Sequence, residues 1–362
     1  MSNSAIDYLL YTRCSVPSPF SIAAQLGWIE EEFRTDGFEV RSLRESGRAE
    51  DRSSHFDHHL PNSFRQGGSV PAIWARSRGQ ATRVIALSWT DEYQAIIALP
   101  AARIQTIKDL RGRRIGIPRH RSVIDHNRAS ALRAFELALA VDGVGLADLE
   151  LVDLDDDRYG QDDGEVRTGL SPQERRRHTY TSEAYALARG EVDAVYVKDV
   201  RGAELAFLLG AVVVADIGFH PDPFVRVSNC APRPLTVSGE LLDRRPDIVA
   251  RLLARVVEAG RWAAEHPAET VRFVSAETGW SERWIRRAYG EDLHLRLGAN
   301  LDETSVEGIG RLVADLAERG FIPKGFDARD WIDAAPLESL RRAGAVRSLA
   351  ARTDQDLERI PA

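Results

Sequence analysis

The sequence predicts an α/β fold of two lobes. Short apolar runs of strand length alternate with amphipathic stretches of helical length along most of the chain, an order of elements that is typical of α/β proteins. The 362 residues favour two lobes over one large domain, and the 43% of hydrophobic residues supply enough apolar material for a core in each.

The N-terminal part predicts a strand, a helix and a second strand. Residues 5–12 form an apolar run of strand length, and residues 38–43 alternate between apolar and polar side chains. Between them, residues 20–33 carry apolar side chains at helical spacing, which predicts one helix. Three further apolar runs follow, at residues 70–77, 83–90 and 95–100.

The middle of the chain predicts elements of the same kinds. Residues 109–118 indicate a tight turn that leads into a strand, residues 130–143 a helix, and residues 149–154 another strand. The polar and highly charged residues 155–179 predict an exposed and mobile loop.

The C-terminal part becomes mainly helical. Residues 182–197 predict a helix, a glycine stop and a strand, and residues 211–218 have strand character. A long amphipathic helix is expected at 246–267, because Pro246 stands in its first turn and Pro267 at its end. The remainder of the chain is predicted to be helical.

Composition excludes several classes of function. The net charge is -7 at pH 7, which gives no basic excess for nucleic acid. No window approaches the 18 apolar residues of a membrane span, and the N-terminus lacks the basic and apolar regions of a signal peptide. Two cysteines more than 200 residues apart make no disulfide framework. We therefore expect a cytoplasmic monomer that contacts neither nucleic acid nor membrane.

Cys14 lies in the segment "YTRCSVPSPF", between a predicted strand and a predicted helix. A thiol near a helix N-terminus meets the positive end of the helix dipole, which favours the thiolate or a bound anion. The alternative is a buried and inert cysteine, the interpretation that we keep for Cys230.

The segment "SSHFDHHLPNSFRQGGSVPAI" (53–73) is rich in polar residues, and residues 50–70 predict a loop that substrate would order. Its three clustered histidines invite a metal interpretation, but no known ligand spacing accompanies them, so we expect no metal. Arg65 offers a planar fork to an acid group, and Gly67 and Gly68 allow backbone N–H groups to approach an anion. A histidine near a thiol can exchange a proton with it.

Longer phrases resemble the type II periplasmic-binding-protein fold, which has a central ligand cleft and two crossover segments. They are "IQTIKDLRGRRIGIP" (104–118), "ALARGEVDAVYV" (186–197) and the C-terminal helix that contains Trp262. The resemblance implies that residues 1–115 and 216–362 form lobe one and residues 116–215 form lobe two. It says little about activity, because this fold serves receptors, regulators and enzymes.

The two site segments together resemble the aryl sulfinate desulfinase family. "YTRCSVP" is similar to the cysteine segment of that family, and the second segment is similar to its motif H-F-x(4)-P-x(3)-R-x-G-G-x-[IV]-P. The matching residues of the second motif are His55, Phe56, Pro61, Arg65, Gly67, Gly68, Val70 and Pro71.

This resemblance implies that the chain cleaves a carbon–sulfur bond without a cofactor and releases sulfite. Cys14 would be the nucleophile or the proton donor, and His55 would tune, orient or reprotonate it. Arg65 and the N–H of Gly68 would hold the sulfinate, while Phe56 and Gly67 would line the substrate. Composition alone does not choose His55 over His58 or His59.

Two questions stay open at this point. Lys198, Asp199 and Arg201 stand where the desulfinases have a tryptophan-rich apolar stretch, and Arg119, His120 and Arg121 add charge to an opposite segment. If these residues face the cleft, they favour a smaller or more polar sulfinate over a biphenyl; the alternative is that Lys198 and Arg201 line a solvated rim. The alternative function is a solute-binding protein for a sulfonate, nitrate-like anion or thiamine precursor, which would use Arg65 and the glycines for binding alone.

Overall fold

The computed structural model describes residues 6–120, 122–155 and 179–342. Apart from its two end residues, the loop predicted at 155–179 lies outside them. The described strands are β1 (Tyr8–Arg13), β2 (Glu39–Ser42), β3 (Ser63–Gln66), β4 (Thr82–Ser88), β5 (Gln94–Ala98), β6 (Arg114–Arg119), β7 (Glu150–Asp155), β8 (Ala194–Lys198), β9 (Val212–Asp216) and β10 (Arg233–Ser238).

The α-helices fall into three groups along the chain. The first group comprises α1 (Pro19–Gln25), α2 (Trp28–Phe33), α3 (Ala49–Asp57) and α4 (Ser69–Ser77). The second comprises α5 (His126–Val141), α6 (Thr181–Ala188), α7 (Asp199–Leu208) and α8 (Pro223–Arg226). The third comprises α9 (Gly239–Arg244), α10 (Pro246–Glu265), α11 (Pro267–Thr278), α12 (Glu282–Tyr289), α13 (Glu303–Glu318) and α14 (Ala335–Arg342). Short 3₁₀ helices lie at Leu43–Glu45, Pro100–Ala102, Ile107–Leu110, Leu146–Asp148, Leu293–Arg296 and Ala328–Trp331.

Two mixed five-stranded sheets confirm the predicted two-lobed α/β fold. The first sheet has the strand order β2-β1-β3-β10-β4, and the second has the order β7-β6-β8-β5-β9. β10 returns to the first sheet after the second is complete, so the chain crosses between the sheets twice. The second sheet already includes β5, which begins at Gln94. The first crossing therefore precedes this strand and falls earlier than the change of lobe predicted at residue 116.

The predicted helix at 20–33 is two helices in the structure. Gly27 has a φ of 72°, in the left-handed region, and α1 ends just before it while α2 starts just after it. The apolar spacing is nevertheless kept, since Ile22, Ile29 and Phe33 all lie in the core. Helical periodicity therefore identified the buried face and missed the break.

The helices on the first lobe bury a continuous apolar core against its sheet. α10, with Pro246 as its first residue, presents Leu252, Leu253 and Val256 to that core, and all three are fully buried. α1 and α2, which follow β1 along the chain, pack on α10. This packing fixes the segment after β1 on the first lobe. No helix among the described residues is long and apolar enough to cross a membrane.

The sheet topology brings the two site segments together. β1 and β3 are parallel neighbours, with Thr12 opposite Arg65 and Arg13 opposite Gln66. Their carboxyl ends therefore meet at one edge of the sheet, where α/β proteins commonly bind ligands. Cys14 follows the first of these strands and Gly67 the second.

Candidate active site

Cys14 and His55 form a close thiol–imidazole pair. Cys14 directly follows β1, and its backbone N–H donates to the carbonyl of Gln66 at 3.0 Å. Its side chain is partly exposed, and Sγ lies 3.2 Å from Nε2 of His55. His55 belongs to α3, so the loop predicted for the histidine-rich segment is wrong there: a helix carries the imidazole. This pair can transfer a proton over one hydrogen bond.

Thr12 holds the other side of the imidazole. Oγ1 of Thr12 lies 2.9 Å from Nδ1 of His55, and the threonine side chain is buried. When Nδ1–H donates to Thr12, Nε2 is free to accept the proton of the thiol. Sequence reasoning missed Thr12, the second-last residue of β1, because a threonine on a strand carries no signal of its own.

Arg65 lies next to Cys14 and His55, and two backbone carbonyl groups fix its side chain. Its Nε donates to the carbonyl of His55 at 2.6 Å, and Nη2 donates to the carbonyl of Gly68 at 3.1 Å. Nη1 is buried and has no hydrogen-bond partner within the described residues. Burial lowers the pKa of Arg65 to about 10, with a further contribution from Arg233 and an opposing one from Cys14. A buried guanidinium with an unpaired donor is suited to binding an anion.

The glycine pair allows the chain to pass close to both reactive groups. A Cβ on Gly67 would stand 2.8 Å from Sγ of Cys14 and 2.8 Å from Nη2 of Arg65. A Cβ on Gly68 would stand 2.6 Å from the side-chain amide of Asn229. Gly68 precedes α4, and the backbone N–H of Val70 is capped by Oδ1 of Asn229 at 2.9 Å. Neither position has room for a side chain.

The surroundings of Cys14 favour its thiolate. Burial by itself raises the pKa of the thiol, but the charge and hydrogen bond of His55, the charge of Arg65 and a backbone hydrogen bond from Gly68 together lower the pKa to about 5. The thiol's ordinary pKa is about 9. Cys14 is therefore expected to be ionised at neutral pH.

The three clustered histidines contact different partners. Only His55 faces Cys14. His58 is buried, and burial holds the pKa of its imidazole well below the ordinary value, so it is neutral. His59 is exposed, and its Nδ1 lies 2.5 Å from Oδ1 of Asp57. Phe56, predicted to line the substrate, is 40% exposed, and its ring meets the ring of His55 edge-on.

The charged residues predicted around the cleft divide into two groups. Lys198 is buried, while Asp199 and Arg201 pair with each other at 2.9 Å at the start of α7. Arg119 lies in the exposed part of β6, where it pairs with Asp153 and Asp155. His120 lies beside Asp125, and Arg121 is outside the described residues.

Cys230 is buried, as the sequence analysis expects, but it lies among charged side chains. Nζ of Lys198 lies 3.1 Å from Sγ of Cys230 and 2.9 Å from Oε1 of Glu92. All three residues are buried, and burial raises the pKa of the Cys230 thiol, so Cys230 remains protonated. Its environment is polar and charged, which the isolated phrase "RVSNCAP" did not indicate.

The fold and the site together define a two-lobed α/β protein in which a buried arginine with an unpaired donor lies beside a cysteine whose surroundings favour the thiolate. No family model matches the sequence. The chain is 27% identical over 358 residues to the 2'-hydroxybiphenyl-2-sulfinate desulfinase of Rhodococcus erythropolis. The alignment covers 92% of this chain and 93% of that protein. The same figures hold for the desulfinase of Rhodococcus qingshengii.

Solved structures agree with this similarity. The crystal structure of the desulfurization enzyme DszB superposes with a TM-score of 0.70 and 25% identity, over 93% of this chain and 100% of that one. A cysteine mutant of DszB in complex with biphenyl-2-sulfinic acid gives a TM-score of 0.74 at 23% identity, over 93% and 99% of the two chains. A sulfonate-binding protein from Methylobacillus flagellatus shares the fold, with a TM-score of 0.67 at 17% identity over 94% and 96%.

Proposed function

We propose that this protein is a desulfinase that cleaves the carbon–sulfur bond of an aryl or related sulfinate and releases sulfite. The observation that carries the proposal is the contact of 3.2 Å between Sγ of Cys14 and Nε2 of His55, beside the buried guanidinium of Arg65. The similarity to desulfinases over nearly the whole chain supports the same activity. In reaction class it is a hydrolase of carbon–sulfur bonds that needs no cofactor.

Arg65 and the amide of Gly68 would hold the sulfinate oxygens. Nη1 of Arg65 is the unpaired donor, and the backbone N–H of Gly68 already stabilises negative charge on Cys14. Donors that are fixed before the substrate arrives stabilise the charge that develops when the bond breaks. The hydrogen bonds from Arg65 to two backbone carbonyl groups provide that fixed position.

The lowered pKa of Cys14 favours attack by the thiolate on sulfur. The carbon–sulfur electron pair moves to the ring carbon, which takes the proton held by His55, and the arene leaves. Cys14 then carries an SO2 group through a sulfur–sulfur bond. Water cleaves that bond, which gives hydrogen sulfite and returns the thiol, so that sulfinate and water are converted into arene and hydrogen sulfite.

A proton-donor role for Cys14 would give the same products. The thiol would protonate the ring carbon, SO2 would leave, and water would convert SO2 into hydrogen sulfite with return of the proton. Rapid-quench mass spectrometry of the intact protein separates the two routes. We expect an adduct on Cys14 during turnover, and turnover without any adduct would favour the proton donor.

The solute-binding alternative is tested by sulfite release. The purified protein is incubated with a panel of aryl and alkyl sulfinates, in parallel with Cys14→Ser and Cys230→Ser. We expect sulfite from at least one aryl sulfinate, and a loss of release that is specific to Cys14→Ser. Tight binding without sulfite from any member of the panel would favour a receptor. We further propose that the protein acts as a cytoplasmic monomer, where Cys14 remains a thiol.

A further inference from the structure

A second charged cluster lies in the part of the structure that joins the two sheets. We define the second cluster as Glu92, Lys198, Cys230 and Arg233. Lys198 ends β8 of the second sheet, whereas Arg233 begins β10 of the first. Lys198 contacts Glu92 and Cys230 at 2.9 and 3.1 Å, and each of the four residues is at most 7% exposed. The cluster thus connects one lobe with the other.

Arg233 links this cluster to the reactive cysteine. Its Nη1 donates to the carbonyl of Pro17 at 2.6 Å, three residues beyond Cys14. Nε and Nη2 have no oxygen or nitrogen partner in the described parts of the chain, the Cys230 thiol lies beside the guanidinium, and the residue is only 1% exposed. These two atoms form one edge of the guanidinium, which is the edge that binds a carboxylate through two parallel hydrogen bonds. Unpaired buried donors are costly, so a ligand that pairs them would bind favourably.

The site as a whole has an excess of buried positive charge. Arg65, Arg233 and Lys198 are buried cations, and the buried carboxylate of Glu92 pairs with Lys198. Cys14 adds one negative charge as a thiolate. Cys230 is a thiol, because burial raises its pKa. His126, near Lys198, is neutral, because burial lowers its pKa to about 4.

The unpaired donors of the two arginines point to a ligand with two acid groups. Arg65 has one unpaired nitrogen beside Cys14, and Arg233 has two along one edge of its guanidinium. A simple aryl sulfinate that binds Arg65 would leave the buried edge of Arg233 without a partner.

We propose that the substrate is a dianionic sulfinate: its sulfinate group binds Arg65 beside Cys14, and a second acid group, a carboxylate, binds the Nε and Nη2 edge of Arg233, with Lys198 nearby. The inference rests on the proposed desulfinase function and specifies its substrate class. It also assigns a role to Arg233, Lys198 and Glu92, which the sequence motifs do not include.

The test compares carboxylic acids with their uncharged esters. Sulfite release by the wild-type protein is measured with 2-, 3- and 4-carboxybenzenesulfinate, with the methyl ester of each, and with biphenyl-2-sulfinate. We expect one acid to exceed its own ester in kcat/KM by about 100-fold, the effect expected for a buried charged hydrogen-bond pair. Equal rates for every acid and its ester, or a preference for biphenyl-2-sulfinate, would overturn the inference and leave the desulfinase proposal intact.

Arg233→Gln tests the assignment of the residue. The glutamine side chain is two bonds shorter, so the bidentate edge is lost together with the donor to the carbonyl of Pro17. The ratio of acid to ester cancels the general effect of that loss on the rate. We expect the ratio of acid to ester to fall close to one, and the matched control Arg119→Gln, at an exposed arginine of the second lobe, to keep the wild-type ratio. A preference for the acid that survives in folded Arg233→Gln would contradict this assignment.

Binding to Cys14→Ser separates this inference from the proposed function. Calorimetry with the same acids and esters needs no turnover and no variant of Arg233. Tighter binding of one acid than of its ester supports the second acid site, even if no compound releases sulfite from the wild-type protein. Equal affinities for all pairs would overturn it, even if the protein proves to be a desulfinase.

Discussion

Thr12 and His55 are joined by a contact of 2.9 Å between Oγ1 and Nδ1, on the side of the imidazole that faces away from Cys14. Nε2 of the same ring lies 3.2 Å from Sγ of Cys14. One ring thus bridges a fixed hydroxyl group and the reactive thiol. A partner on Nδ1 orients the ring and selects which nitrogen exchanges a proton with the thiol. Thr12 is therefore a positioning residue of the candidate site.

Thr12→Val is expected to reduce kcat about 10-fold or more, with a smaller change in KM, because the imidazole loses its fixed orientation. The shape of the side chain is nearly retained, so the thermal midpoint should change little. The acid limb of the pH–rate profile should also move, which a purely structural role would not cause. Thr12→Ser keeps the hydroxyl and serves as the control; if it is as inactive as Thr12→Val, the hydrogen bond is not the cause.

The pairing of β1 with β3 explains why the candidate site could be predicted from two distant segments. Cys14, His55, Arg65, Gly67 and Gly68 occur in motifs, and parallel strands bring the motifs to one sheet edge. Thr12 carries no motif signal, because a threonine on a strand is ordinary. The surroundings of Cys230 and Arg233 also could not be predicted from the sequence, because Lys198 and Glu92 come from remote parts of the chain.

The titration of Cys14 should be displaced far below that of an ordinary thiol. The rate of alkylation by iodoacetamide is expected to rise with an apparent pKa of about 5, because His55, Arg65 and the Gly68 amide stabilise the thiolate. Cys14→Ser, which retains the buried Cys230, should react slowly over the same range. An inflection near 9 in the wild-type protein would show that these groups do not stabilise the thiolate.

The same titration has a consequence for stability. Since the folded pKa of Cys14 is lowered, the thiolate contributes stability that is fully present above the unfolded value of about 9 and is lost as the pH falls through about 5. The difference in unfolding free energy between the wild-type protein and Cys14→Ser should therefore grow from pH 5 to pH 9. A constant difference across that range would oppose the prediction.

Arg65→Lys is expected to lower kcat/KM, although the positive charge is kept. The loss corresponds to on the order of 3 kcal/mol of transition-state stabilisation. A lysine cannot donate to His55, to Gly68 and to a ligand from fixed positions, which the guanidinium does. Arg119→Lys, at an exposed arginine of the second lobe, provides the matched control. Full activity of Arg65→Lys would show that the planar guanidinium group is not required for the reaction.

Glu277→Gln should destabilise the fold by about 3 kcal/mol, because it leaves two arginines without their buried carboxylate. Glu277 lies in α11 and contacts Arg13 at 3.2 Å as well as Arg44, and its side chain is 4% exposed. Denaturant unfolding measures the loss. The control is Glu31→Gln, which breaks the exposed pair with Arg34 and should leave stability almost unchanged. Equal effects of the two changes would show that the buried pair has no special weight.

Elements of the fold were predictable where the apolar periodicity and the residues that start or end helices indicated the same limits. Pro246 and Pro267 correctly marked the limits of the long helix α10 and the start of α11. Periodicity failed at Gly27, where a left-handed residue divides one apolar stripe between two helices. It also failed in the histidine-rich segment, where α3 forms although its residues are mostly polar. That helix is held by tertiary contacts with α4 and is not evident from its own pattern.

Gly67→Ala is expected to abolish most activity while the protein still folds. The added methyl group would lie 2.8 Å from both Sγ of Cys14 and Nη2 of Arg65, so one of the two reactive groups must move. A displacement of about 1 Å at a reacting group typically costs on the order of 100-fold in rate. Gly47→Ala is the matched control, since its methyl group would meet no atom within 4 Å. Steady-state sulfite release and thermal unfolding of both variants test this prediction. A Gly67→Ala protein with wild-type kcat would mean that the close approach of the backbone to the thiol is not required for the reaction.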